Sequence, residues 1–316
     1  MKAFLLRAIG ILMMLSALAL ALSRAPDRPL ETLVARWAPP PSDFIDLGGQ
    51  VVHLRDEGPR NDPRPLVLLH GTSASLHTWE GWVAALKARH RVITLDLPGF
   101  GLTGPWSGRY AGRDYGGDNL ARFVLDVLDA RGVGHFVVGG NSLGGEVAWR
   151  IATMARDRVD RLILVDAAGP AFDSQALPLA WQFTRLPVIG RLGEWVLPRA
   201  LVAQGLATAY AHPERISSGL VDRYFELALR EGNRQALGER LRVWRPGEDA
   251  ERIATLTLPT LILWGAKDRL IPLATARVFQ GQIAGSELVV FDDLGHVPQE
   301  EDPARSVMPV KAFLAP

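Results

Sequence analysis

Near the middle of this 316-residue chain, the β-branched run Phe136-Val137-Val138 ends in Gly139-Gly140-Asn141-Ser142-Leu143-Gly144-Gly145. Helix-forming sequence follows at once, over Glu146 to Ala155. A serine flanked by glycines two residues away on each side, between a buried strand and a helix, is placed to act as a nucleophile. Turning from strand to helix within one residue strains the backbone at Ser142 and holds its hydroxyl clear of the sheet. Side chains at Gly140 or Gly144 would collide with the neighbouring strand or helix. The amide of Leu143, in the first turn of the new helix, is free to face a developing negative charge.

A serine hydroxyl needs a base near neutral pH, and the base needs an orienting group. The histidines are His53, His70, His77, His90, His135, His212 and His296. Only His70 and His296 stand just beyond an expected buried strand. His70 runs into Gly71-Thr72-Ser73, which suits a loop of backbone donors, and reads as a structural histidine bonded to nearby backbone. His296 lies in Asp292-Asp293-Leu294-Gly295-His296, a glycine-permitted loop after the last strand, and is the candidate base. Asp268 follows the run Leu258–Trp264 through Gly265-Ala266-Lys267 and is the candidate third member, with Asp166 its rival. Asp96 precedes a Pro-Gly turn and reads as loop architecture, while Asp292 and Asp293 cap or solvate their own loop.

The elements that must position these groups alternate in kind. Buried strands are expected at Leu66–Leu69, Val92–Leu95, Phe136–Val138, Leu162–Val165, Leu258–Trp264 and Leu288–Phe291, with a hairpin around Gly48-Gly49-Gln50 before them. Helices are expected near Trp79–Arg89, Asn119–Ala130, Glu146–Ala155, Ala274–Gln282 and Ala304–Leu314. Such alternation means an α/β fold with a mostly parallel sheet covered on both faces, its ligands beyond the carboxyl ends of the strands. From 169 to 250 strand signals stop, and the region is helical and rich in aromatics (Trp181, Phe183, Trp195, Tyr210, Tyr224, Phe225, Trp244). It is expected to fold over the sheet edge as a cap, with most of these rings packing its helices. The core is then 43–168 and 251–316.

Lys and Arg number 35 against 34 Asp and Glu, which offers no basic stripe for nucleic acid. The absence of cysteine excludes disulfides and thiolate metal sites. Residues 1–23 carry Lys2 and Arg7 and then an uncharged apolar run from Ala8 to Ser23. This length lies between a signal-peptide core and a full membrane span. An uncleaved anchor is the preferred reading, with the catalytic domain outside the cytoplasm; secretion after cleavage is the alternative. Residues 24–42, with Pro26, Pro29 and Pro39–Pro41, read as a linker.

Together, His70-Gly71-Thr72-Ser73, Asp96-Leu97-Pro98-Gly99-Phe100-Gly101, Gly140-Asn141-Ser142-Leu143-Gly144-Gly145, Trp264-Gly265-Ala266-Lys267-Asp268 and Gly295-His296 resemble the α/β-hydrolase superfamily over residues 43 to 316. The resemblance implies a Ser142–His296–Asp268 triad under a helical lid. It also implies an oxyanion hole from the amides of Thr72 and Leu143, and no metal or organic cofactor. The expected activity is cleavage of a small to medium apolar carboxylic ester through an acyl-enzyme. A C–C hydrolase of meta-cleavage diketones is the alternative, disfavoured because Val297 stands where that group usually carries Trp or Cys. A non-catalytic scaffold on the same fold is a further alternative.

Overall fold

In the computed structural model, residues 4, 5, 7, 9–14, 23–174 and 196–315 are described. Eight strands form one sheet in the order β1-β2-β4-β3-β5-β6-β7-β8. They are β1 (Ser42–Asp46), β2 (Val51–Glu57), β3 (Leu66–Leu69), β4 (Val92–Leu95), β5 (Phe136–Asn141), β6 (Val159–Val165), β7 (Thr260–Gly265) and β8 (Glu287–Phe291). β2 pairs antiparallel with both β1 and β4, and every pairing from β4 to β8 is parallel.

The short apolar runs form the centre of this sheet because both faces are covered. Along β3, Val67 and Leu69 join one core and Leu66 and Leu68 the other. The same alternation holds in β6 (Leu162 and Leu164 against Ile163 and Val165) and β7 (Ile262 and Trp264 against Leu261 and Leu263). Side chains of a strand point alternately to opposite faces, so an unbroken apolar run fills two cores at once. The first core is closed by helices α3 (Gly117–Ala130), α4 (Leu143–Met154) and α8 (Leu273–Gln282). The second is closed by α2 (Glu80–Leu86) and α10 (Pro303–Leu314).

Between β6 and β7 the described chain is helical: α5 (Arg199–Ala209), α6 (Ser218–Ala228) and α7 (Asn233–Val243). A separate apolar cluster of Leu206, Tyr210, Val221 and Val297 ties this cap to the loop that carries His296. Trp181, Phe183 and Trp195, expected in the cap, lie outside the described residues.

Residues 24–42 differ from the linker expected. They carry a helix, α1 (Leu30–Trp37), whose Leu33 is buried against Leu102 and Leu227. Glu226 of α6 binds it three ways, accepting from Arg36 Nη1 at 2.6 Å and Trp37 Nε1 at 2.7 Å and pairing with Arg28 at 3.4 Å. The prolines allow this because Pro29 stands at the N-cap and the others lie outside the helix, where no amide donor is needed. Burying one leucine of this kind contributes about 1.5–3 kcal/mol. The anchor expected at 1–23 lies largely outside the described residues. Phe4, Leu5, Ile9, Ile11, Leu12, Met13 and Met14 are exposed, and no helix among the described residues is long and apolar enough to cross a membrane.

The docking of α1 makes truncation informative. Removing residues 1–22 is expected to leave the thermal midpoint unchanged. Removing 1–42 uncovers Leu102 and Leu227 and is expected to lower it by several degrees, as about 1.5–3 kcal/mol of burial requires. Equal midpoints for the two truncations would show that α1 adds nothing to the fold.

Candidate active site

Parallel strands that end in register deliver their following residues to one edge. Leu69 is paired with Leu95 and Gly140, Val165 with Asn141 and Leu263, and Gly265 with Phe291. The residues just beyond these ends are His70, Asp96, Ser142, Asp166, Asp268 and His296, so groups up to 226 positions apart in sequence meet at a single rim.

Ser142 is the hinge between β5 and α4, with φ +55° and ψ −117°. A non-glycine residue in this region costs on the order of 1–3 kcal/mol and persists only where its surroundings hold it. Here the Ser142 amide donates to the Val165 carbonyl at 3.1 Å, and its own carbonyl accepts from Glu146 and Ala168 at 3.0 Å each. The flanking glycines are required by contact. A Cβ on Gly140 would lie 2.1 Å from the Gly144 carbonyl oxygen, and one on Gly144 would lie 2.0 Å from that of Leu69. Helix α4 therefore starts directly against the strand ends, and Leu143, its first residue, has an amide with no acceptor inside the helix.

His296 Nδ1 lies 2.7 Å from Asp268 Oδ2, both groups being buried. The other carboxylate oxygen of Asp268 accepts from the amides of Leu270 and Ile271 at 2.7 and 3.0 Å. Asp268 is thus locked, and it leaves His296 Nε2 as the ring nitrogen available for chemistry. Thr72, Ser142, Leu143 and His296 all line one cavity beneath the cap, walled also by Phe172, Trp244, Leu241, Leu270 and Ile271. Of the cap aromatics, Trp244 faces this cavity, whereas Tyr210 and Tyr224 pack within the cap.

Asp166, the rival acid, reaches the same rim but stands differently. Its Oδ1 accepts from the Gly265 amide at 2.9 Å, and its backbone has φ +43°. Ligand atoms of Asp166, Asp268 and His296 lie within 4.8 Å of one another, close enough to hold a cation. Burial, with the Asp268 carboxylate beside it, pushes the Asp166 carboxyl well above the usual carboxylate range. Of the two acids it is therefore the one that more readily keeps a proton. Its Oδ2 is buried and has no hydrogen-bond partner among the described residues.

The remaining rim residues are structural. The His70 ring spends both nitrogens on backbone, with Nδ1 2.8 Å from the Gly71 carbonyl and Nε2 accepting from the Leu97 amide at 3.0 Å. This bonding selects the Nδ1–H tautomer, and burial lowers its pKa, so the ring is neutral. Asp96 accepts from the amides of Leu76 and Leu102 at 2.7 Å each and pairs with His53 at 2.7 Å, holding the loops after β3 and β4 to strand β2.

Three positioning contributions escaped the sequence reading. Asn141 Nδ2 donates to the carbonyls of Val165 and His296 at 3.1 and 2.9 Å, tying the elbow to the histidine loop. A polar residue ending a buried apolar strand was the signal available. Glu301 accepts from the amides of Gly295 and His212 at 2.8 Å each, and the His296 amide donates to the Ala209 carbonyl of the cap at 2.7 Å. On the cavity wall, Glu146 accepts from Arg240 of α7 at 2.5 Å and from Arg150 at 3.2 Å. Partners 94 residues apart leave no local pattern.

Comparison with known proteins agrees with this architecture. The model of the alpha/beta hydrolase family matches residues 66–308, and the chain belongs to that family. It is a hydrolase. A 2-hydroxymuconate semialdehyde hydrolase of Pseudomonas sp. (strain CF600) is 28% identical over 87% of this chain and 96% of its own. A meta-cleavage product hydrolase structure from Pseudomonas fluorescens IP01 superimposes with TM-score 0.73 at 24% identity, over 86% of this chain and 96% of its own. The structure of a membrane phospholipase A superimposes with TM-score 0.71 at 24% identity, over 99% of this chain and 98% of its own.

The two acids separate in mutagenesis. Asp268→Asn is expected to lower hydrolytic turnover by about 10³–10⁴-fold, because the imidazole loses its orienting anion. Asp166→Asn is expected to cost less than about tenfold, since an amide can donate as the neutral acid does. A larger loss at Asp166 would exchange their roles. Stability carries a second signature. The folded state holds the Asp166 proton above the ordinary value of 3.8, whereas the unfolded chain releases it there. The associated stability is full below about pH 4 and is lost as pH rises toward the folded value. As pH rises above about 4, the melting temperature of Asp166→Asn is expected to fall less steeply than that of the wild type, as measured by calorimetry.

Proposed function

We propose that this hydrolase cleaves carboxylic esters through an acyl-enzyme formed on Ser142. Ser142 Oγ attacks the ester carbonyl carbon while His296 Nε2 takes its proton. The amides of Thr72 and Leu143 donate to the resulting oxyanion, and Asp268 stabilises the imidazolium. Collapse expels the alcohol, which leaves with the proton from His296. Water then attacks the acyl carbonyl by the same route in reverse, releasing the carboxylic acid and restoring Ser142. The single observation that carries this reading is the strained Ser142 facing one cavity with a histidine already bonded to a buried aspartate.

Two observations favour an ester over a meta-cleavage diketone, the substrate class named for two of the relatives. The cationic Arg240 on the cavity wall is paired with Glu146, so the pocket offers no unbalanced charge for an anionic dienoate. Val297, next to the histidine, is buried in the cap cluster and presents no aromatic surface. The likeness to a membrane phospholipase A, itself named for ester cleavage, extends over 99% of this chain. Its reach through the amino-terminal segment, whose described apolar side chains are exposed, supports a membrane-held domain, which we place outside the cytoplasm as a proposal.

A panel of p-nitrophenyl esters of increasing acyl length, assayed beside meta-cleavage dienoates, tests the proposal. Ester turnover is expected to exceed dienoate turnover. Ser142→Ala is expected to lower it by about 10⁴–10⁶-fold and to abolish fluorophosphonate labelling, with the melting temperature unchanged or raised. Preferential dienoate cleavage would move the protein to the C–C hydrolases, and retained ester turnover in Ser142→Ala would remove the nucleophile.

A further inference from the structure

Among the described residues lining the catalytic cavity, two carry full charges: Glu146 of α4 and Arg240 of α7. Apart from Thr72, Ser142 and His296 of the reacting centre, the others are apolar. Glu146 stands four residues past Ser142 on α4, so its backbone lies one helical turn, about 6 Å, from that of the nucleophile. Arg240 closes over it from the cap. Its Nη2 donates to Glu146 Oε2 at 2.5 Å and its Nη1 to the Tyr115 carbonyl at 3.0 Å.

Neither partner has room to retreat. Glu146 Oε1 accepts from Arg150 Nε at 3.2 Å, and Arg150 is held in turn by Asp118 and Asp249. Behind the carboxylate, α3 begins so close that a Cβ on Gly117 would lie 2.4 Å from Glu146 Oε1. Drawing one member of a buried pair away leaves an uncompensated charge. An apolar side chain in the same place could turn aside to another rotamer.

The pair and the base stand on opposite sides of Ser142. In the sheet, β5, which delivers the serine, lies between β4 and β3 on one side and β6, β7 and β8 on the other. Asp268 and His296 follow β7 and β8. Tyr115 and Gly117, which touch Arg240 and back Glu146, follow β4. An imidazole that returns its proton to the departing alcohol has that alcohol beside it. The acyl chain then runs the other way, toward the ion pair.

We propose that Arg240, braced by Glu146, ends the acyl pocket and limits the enzyme to esters of short acyl chains, of about two to four carbons. This rests on the ester-cleaving reading of the same site and names its substrate class. A chain of that length fits within the one-turn separation of about 6 Å, whereas a longer one must displace the guanidinium. Arg240 is thus a specificity-determining residue, in contact with the far end of the acyl chain and with none of the reacting atoms.

Specificity constants of the full-length protein for p-nitrophenyl acetate, butyrate, octanoate and dodecanoate read the pocket through turnover. Rates of Ser142 labelling by p-nitrophenyl alkylphosphonates of matching chain lengths read it without turnover. In both series the wild type is expected to favour the butyl over the octyl chain by at least about tenfold, since one surplus methylene in a closed pocket already costs about 10–200-fold. Arg240→Ala is expected to bring that ratio to about one or below, with Arg240→Lys, which still reaches Glu146, keeping the preference for the short chain. Arg240→Leu, an apolar replacement of the kind buried pairs tolerate, is expected to shift the ratio in the same direction and serves if Arg240→Ala does not fold. A pair that only braces the fold predicts instead that Arg240→Ala lowers the rates for all lengths in proportion; an unchanged ratio therefore overturns the proposal. A wild type that favours the longer chains overturns it too, as does a shift produced by Trp244→Ala and by neither Arg240 variant. Length-dependent labelling together with preferential dienoate turnover would strike the ester reading and leave Arg240 as the end of the pocket. Ester turnover indifferent to chain length would strike Arg240 and leave the ester reading, and absence of labelling by every phosphonate in a folded sample would strike both.

Discussion

The structure depends on one close approach: helix α4 begins so near the ends of β3 and β5 that neither Gly140 nor Gly144 has room for a Cβ. That contact compels the chain to reverse from strand to helix at Ser142, and the positive φ there is its consequence. The strain is held by backbone hydrogen bonds to Val165, Glu146 and Ala168, which belong to the surrounding β6 and α4 framework. Loosening the helix from the sheet would let the serine relax and withdraw its hydroxyl from the rim. Stability and reactivity therefore share the same few backbone contacts.

His296 comes to the same pocket from a loop with little regular structure of its own, and its position is borrowed from neighbours. Asn141, adjacent to the serine, grips the His296 carbonyl, Glu301 grips the Gly295 amide, and the cap accepts the His296 amide through Ala209. Ser142 and His296 are thus referred to a common frame by one side chain between them. Because the cap supplies one of these bonds, and Val297 packs within it, movement of the cap and placement of the base are mechanically coupled. Helix α1 extends the same logic outward, fastening the amino-terminal segment to α6 through Glu226.

Charge placement divides the molecule's buried ions by purpose. Asp96 is an anion surrounded by amide donors and a histidine, and it serves the loops. Burial beside the Asp268 carboxylate raises the Asp166 carboxyl, so the two acids differ in how readily they ionise although they share one rim. Glu146 pairs with Arg240 at the cavity wall and with Arg150 behind it, and Arg150 is balanced further by Asp118 and Asp249.

Much of this could be read directly from residues. Buried strands at Leu66–Leu69 and Val92–Leu95 have the bounds expected, because a short run of apolar and β-branched residues between turn signals reads as a two-faced central strand. The elbow was legible because its glycines, serine and flanking periodicities are adjacent in the chain. His296 and Asp268 could be placed just beyond strands, but the sequence left Asp166 open, since a carboxylate at a strand end looks the same whether or not it holds a proton. Helix α1 was missed because its signal is one buried leucine between prolines, and its stabilisation comes from Glu226, Leu102 and Leu227 far along the chain. The pairings Glu146–Arg240, Asn141–His296 and Arg234–Asp27 were likewise invisible. Local chemistry is written in consecutive residues and so determined the fold class and the candidate groups. The partner that each buried polar atom finds depends on which distant segments close on it, and only the folded chain decides that.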